Sequence, residues 1–137
     1  MPIRPENRAR YPATWGEIRA DVLRRAHNRC EWDDCGAVNH AVGYWRKGAF
    51  APLPPRLREA GYEAGDIVAC ANGEALKLIR IVLTIAHLDH TPENCDLSNL
   101  RAWCQRHHLG YDAPHHAETA YATRRQGRAV ADLFAAA

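Results

Sequence analysis

Lysine is nearly missing from this chain of 137 residues, where Lys47 and Lys77 stand beside sixteen arginines. Arginine offers a planar fork matched to phosphate. Because alanine is abundant as well, a GC-rich coding bias is the weightier account of the excess. Long apolar runs are missing too: nothing approaches the roughly eighteen consecutive apolar residues of a membrane span, and Met1 to Arg8 lacks the apolar centre of a signal peptide. The expectation is a soluble, cytoplasmic protein with no membrane partner. An even set of cysteines is also lacking. Five thiols in a chain without an export signal argue against a disulfide framework and favour metal ligation. The formal charge of only +2 announces no global field for nucleic acid. Charge concentrates locally instead, since residues 1–30 hold seven arginines against Glu6, Glu17 and Asp21. That end can touch phosphates or form a solvated helix face, and the two readings weigh equally.

The length suits one domain with a modest core that a structural metal would help to hold. We read residues 1–13, with three prolines, as an extended arm and 14–137 as the domain. Its core spans 66–112, an insertion about 37–65, and a C-terminal helix about 115–134. Thr14-Trp-Gly-Glu17 has the form of a capping box ahead of apolar Trp15, Ile18, Val22, Leu23 and Ala26, which predicts an amphipathic helix to about Asn28. The insertion has no clean periodicity and is broken by Pro52, Pro54 and Pro55, leaving room for a short helix over Arg56–Ala60. Asp66 to Cys70, a turn at Asn72-Gly73 and a run from Leu76 to Leu88 read as a β-hairpin. Alternation along the second strand sets His87 and Asp89 on one face and His90 on the other. A turn-rich loop follows, then a return strand over Asn99–Trp103 and a helix start at Cys104–Tyr111. In the last helix, Ala120, Val130, Leu133 and Phe134 form a weak apolar stripe, and the terminal alanines are expected to fray.

Two pairs have ligand spacing, Cys30-x4-Cys35 and Cys104-x2-His107. Short loops let each pair reach one tetrahedral ion, and two distant pairs on one ion would clamp separate parts of the chain. Cys70 and Cys95 have no partner at ligand spacing and read as core and loop residues. Trp15 and Trp103 read as core, and Trp32 and Trp45 as cover for the Cys30–Cys35 knuckle.

Asp89-His90, Asn99-Leu100 and His108, with Cys104 between, are similar to the HNH endonuclease pattern: Asp-His, a loop, Asn-Leu on a return strand, then Cys-x2-Cys-His on a helix. The likeness covers about residues 85–112, with Cys30 and Cys35 matching the family's frequent upstream zinc pair. It implies an α+β protein with a ββα-metal (His-Me finger) core, of phage or bacterial type, that hydrolyses DNA phosphodiester bonds. It further implies that His90 is the general base, and that Asp89 and His108 hold a divalent catalytic ion (Mg, Mn, Ni or Zn). Asn99 would fix the loop or orient the base, while Cys30, Cys35, Cys104 and His107 hold a structural zinc. An imidazole that titrates near neutrality and a divalent ion together supply a base and charge neutralisation at a phosphodiester.

His107 stands where the family has cysteine, and it remains a legitimate zinc ligand. The loop from Thr91 to Ser98 is shorter than the family's, and counting from His87 restores length, so His87 rivals His90 as base. His107 and His108 can also exchange metals. Arg101 and Arg106 flank the motif as phosphate-binding candidates. The reading from another class is a non-catalytic zinc-ribbon DNA-binding or assembly protein.

Overall fold

In the computed structural model the backbone of residues 3–135 and the side chains of residues 3–128 are described. Val130, Leu133, Phe134 and the end of the terminal alanine run fall outside the described side chains. The chain forms two compact units, residues 1–105 and 106–137.

The first unit is a set of small antiparallel sheets with a helix against one of them. Its start is not an extended arm: Pro5–Arg10 is a 3₁₀ helix, opened by a proline whose fixed φ suits a first helical position. Helix α1, Trp15–Arg25, follows. The capping box does not form, because Thr14 makes no side-chain cap bond. Its carbonyl instead accepts from the amides of Glu17 and Ile18, both at 3.0 Å. The helix stops where His27 and Asn28 turn left-handed (φ 53° and 58°), a conformation that non-glycine residues enter rarely. The Asn28 amide closes the end on the Leu23 carbonyl at 3.0 Å. Val22 is fully buried, and α1 packs on strand β7, Leu100–Cys104.

The insertion is better ordered than its sequence suggests. Strands β1 (Val42–Arg46) and β2 (Ala49–Pro52) form a hairpin around Lys47 and Gly48, both at positive φ. Gly43 lies so close to this pairing that a Cβ there would collide with the Ala51 carbonyl and the Phe50 ring. Periodicity could not report the hairpin, since Gly43 and the closing Pro52 interrupt the alternation. Helix α2 spans Pro55–Glu59, close to the expected short helix.

The run over residues 76–88 is not one strand. Strand β3 (Ile67–Ala69) pairs with β4 (Ala75–Lys77), so the Asn72-Gly73 turn is as expected. Strand β5 (Ile79–Arg80) then joins β1, and β6 (Leu83–His87) pairs with β7. Three short strands thus serve three sheets. The core lies where they converge, with Leu78, Ile81, Leu83, Leu100 and Cys104 almost fully buried.

Strand β6 ends at His87, so the alternation does not extend to Asp89 and His90. Those two lie in a turn in which the His90 amide donates to the His87 carbonyl at 3.1 Å, and His90 has φ 56°. β7 begins at Leu100, and α3 runs without a break from Gln105 to Ala135. The expected gap before residue 115 is absent: Pro114 is carried inside the helix, at the loss of one backbone donor.

Candidate functional site

Two clusters occupy the region singled out by sequence. The first is a thiol and imidazole group: Cys30, Cys35, Cys104 and His107 offer ligand atoms that all lie within 4.8 Å of one another. Local folding explains the geometry. The Cys30 amide bonds to the Ala37 carbonyl (2.9 Å) and the Cys35 amide to the Trp32 carbonyl (3.1 Å), while Asp34 and Gly36 at positive φ close the knuckle. Glu31 fixes the knuckle to β7, its amide donating to the Ala102 carbonyl (2.8 Å) and its carboxylate accepting from the Ala102 amide (2.8 Å). The Cys104 amide donates to Cys30 Sγ at 3.3 Å. His107 follows Cys104 by one helical turn. Trp32 sits edge-on to buried Trp103, with ring centroids 4.9 Å apart, whereas Trp45 packs on Phe50 in the insertion hairpin.

This donor set fits a metal ion such as zinc. Ligands of a tetrahedral zinc lie about 3.8 Å apart for bonds of about 2.3 Å, a contraction that side-chain rotation supplies. Electrostatics argue the same way. The thiol of Cys30 is pushed far up by its bond with Cys104 and by burial, and that of Cys35 mainly by burial. Crowded neutral thiols need a cation before they ionise. Burial and then Arg106 push His107 down, which keeps its imidazole neutral, the form that binds metal.

The second cluster is the loop between β6 and β7. Asp89 is its centre: Oδ1 accepts from the Thr91 amide and from Asn99 Nδ2, both at 2.9 Å, and Oδ2 from Asn94 Nδ2 at 2.8 Å. Asn99 returns the bond, its Oδ1 accepting from the Asp89 amide at 3.2 Å, and its Nδ2 also reaches the Asn94 carbonyl at 2.9 Å. Bonds from Asn94, Asn99 and Thr91 hold the Asp89 carboxyl down at about 2, because each favours the charged form. Asn94 carried no sequence signal beyond an Asx residue in a turn-rich loop.

His87 is buried, 8 % exposed. Its ring stacks on Trp15 (centroids 5.3 Å, planes 19° apart) and meets the edge of Tyr11 at 5.8 Å. Its Nε2 lies 3.9 Å from Cys95 Sγ. Spacing could not have paired Cys95 with His87, because the contact is made by the loop's return. His90 is half-buried in the turn. Arg101 is engaged internally, with Nη1 donating to the carbonyls of Ser98 (3.0 Å) and Leu100 (2.8 Å), while Arg106 is exposed.

Arg25 was also missed, since its partners lie six to seventy-five residues away. It forks onto Glu31 (3.0 and 2.8 Å) and reaches the Leu97 and Leu100 carbonyls at 2.8 and 2.7 Å. One guanidinium thus joins α1, the knuckle and the end of the Asp89 loop. In the second unit, His108 Nε2 lies 3.0 Å from Asp112 Oδ2. Burial lowers the His108 pKa, partly opposed by Asp112.

No protein-family model, no curated protein and no solved structure matches the chain. Among the described residues no helix is long and apolar enough to cross a membrane.

Proposed function

We propose that the protein is a metal-dependent endonuclease that hydrolyses DNA phosphodiester bonds at the loop between β6 and β7. The observation that carries this reading is the mutual bonding of Asp89 and Asn99 at the end of the strand that bears His87. Zinc folding alone requires neither residue, and together they give the loop one shape beside an imidazole.

Asp89 spends three of about four carboxylate lone-pair directions on the loop. Its first task is therefore to shape the loop, and this removes the main reason for preferring the adjacent His90 as base. His87, packed against two aromatic rings on a paired strand, has the fixed orientation that proton transfer needs. In this reading His87 accepts the proton of the attacking water, and Asn99 holds the loop. The remaining lone-pair direction of Asp89 is the one that would face a catalytic divalent ion. When bound, that ion stabilises the leaving oxygen.

Plasmid nicking with added magnesium, manganese or nickel, and chelator as control, is the test. We expect His87→Ala to reduce cleavage at least a hundredfold with zinc content unchanged, and His90→Ala to reduce it less. The reverse order would return the base to His90. No cleavage with any divalent ion would favour a non-catalytic zinc-binding protein, a reading for which the Cys30, Cys35, Cys104 and His107 group suffices.

A further inference from the structure

Beside the proposed catalytic loop, and assigned to nothing so far, is a cavity of about 360 Å³ open on one side. Tyr11, Trp15 and Arg19 line it from the N-terminal segment, and Val82, Thr84 and Ile85 from the approach to β6 and the strand itself. We propose that this groove takes one nucleobase of a DNA strand by stacking, with the adjoining phosphates on the arginines around it. The proposal rests on the nuclease reading only for the identity of the strand.

Three observations converge. The walls are aromatic and apolar, as a base face requires, and the volume lies within the range of about 300–1,000 Å³ usual for small-ligand sites. The charge on the N-terminal segment that lines it is net positive: residues 4–19 contain four arginines and two glutamates. Arg10 is taken up by Glu93, at 2.6 Å. Arg4, Arg8 and Arg19 are exposed and form no ion pair among the described residues, so their charge is available to phosphate. Finally, Trp15 and Tyr11 are the rings that contact His87. A base in the groove therefore sits one aromatic side chain away from the imidazole, close enough for the same strand to reach both. Aromatic platforms flanked by cations bind single strands with little regard to sequence.

The test is titration of the full-length zinc-loaded protein, without other divalent ions, with an oligothymidylate of eight nucleotides, read by tryptophan fluorescence and by anisotropy of a labelled oligonucleotide. We expect Arg19→Ala, Trp15→Ala and Val82→Glu each to weaken binding about tenfold, and Trp15→Phe to restore it. Because Trp15→Ala removes the ring stacked on His87 and with it core packing, Val82→Glu carries the decision: its side chain is exposed, and far-UV circular dichroism and zinc content verify the fold. An abasic oligonucleotide of the same length should bind at least tenfold more weakly, and free thymidine monophosphate more weakly still. Wild-type affinity for Val82→Glu and Arg19→Ala, or equal binding of the abasic strand, would overturn the groove. If the protein never cleaves DNA yet shows this binding pattern, the groove stands and the nuclease reading falls. If it cleaves normally while the variants bind normally, the opposite holds.

Discussion

Asp89 shows how a residue that sequence singles out for its chemistry can be engaged in shaping its own loop. Sequence marks it as a ligand because it precedes a histidine, yet its carboxylate is turned onto Thr91, Asn94 and Asn99. Spacing reveals that an acid and an amide are ten residues apart, not that the chain returns to bring them together. A pH experiment reads this directly. The folded pKa, about 2, lies below the ordinary carboxylate value, so the contribution of Asp89 to stability is fully present above the ordinary value of about 3.9. It is lost as pH falls through about 2. Carbon-detected NMR titration, run down to the pH at which zinc is released, should therefore find Asp89 fully ionised over the range in which free aspartates begin to protonate. A midpoint near 4 would mean that the three donors do not face it in solution. Asp89→Ala should leave zinc content intact while the amides of residues 90–99 exchange faster.

At the scale of elements, what sequence conveyed was faces, and what it withheld was partners. The alternation from Leu83 to His87 and the return strand at Leu100 were legible because both strands are short, regular and end in chemistry-bearing residues. The stretch from Leu76 to Ile81 looks like the same strand, since a two-residue period does not change when the neighbour does. Only the structure shows β4, β5 and β6 handed to three different sheets. The capping box at Thr14 failed in the same way, a local motif whose backbone carbonyl did the work expected of its hydroxyl. Arg25 is the long-range counterpart that no pattern announces. Removing it with Arg25→Ala takes the guanidinium fork from Glu31 and one donor each from the Leu97 and Leu100 carbonyls, which keep the Leu100 amide and Arg101 respectively. Glu31 is held below its ordinary value because Arg25 and the Ala102 amide outweigh its partial burial. The expected loss is about 2 kcal/mol, the scale of hydrogen bonds to charged groups, read as a lower urea midpoint at unchanged slope. A loss below about 0.5 kcal/mol would place this pair among the surface ion pairs that contribute little.

For the molecule as a whole, the decisive question is what holds so many small sheets together, since none of them has more than three strands. Sheets of that size are marginal alone. The thiol and imidazole group brings the knuckle after α1 together with the end of β7 and the start of α3, positions about seventy residues apart in sequence. Metal bound there becomes folding free energy, because the unfolded chain has no such arrangement. We therefore expect one zinc per chain. Cys30→Ser, Cys35→Ser and Cys104→Ser should each lose that zinc and unfold at lower temperature, whereas Cys70→Ser and Cys95→Ser should retain it. Acid should act like these substitutions, since protons compete with the metal for thiolate and imidazole, so zinc release and loss of near-UV dichroism should coincide as pH is lowered. If zinc can be removed by chelator without any change in melting, the small sheets are held by their packed core alone. The four side chains would then be a metal-binding surface and not the clamp that the spacing of their sequence implies.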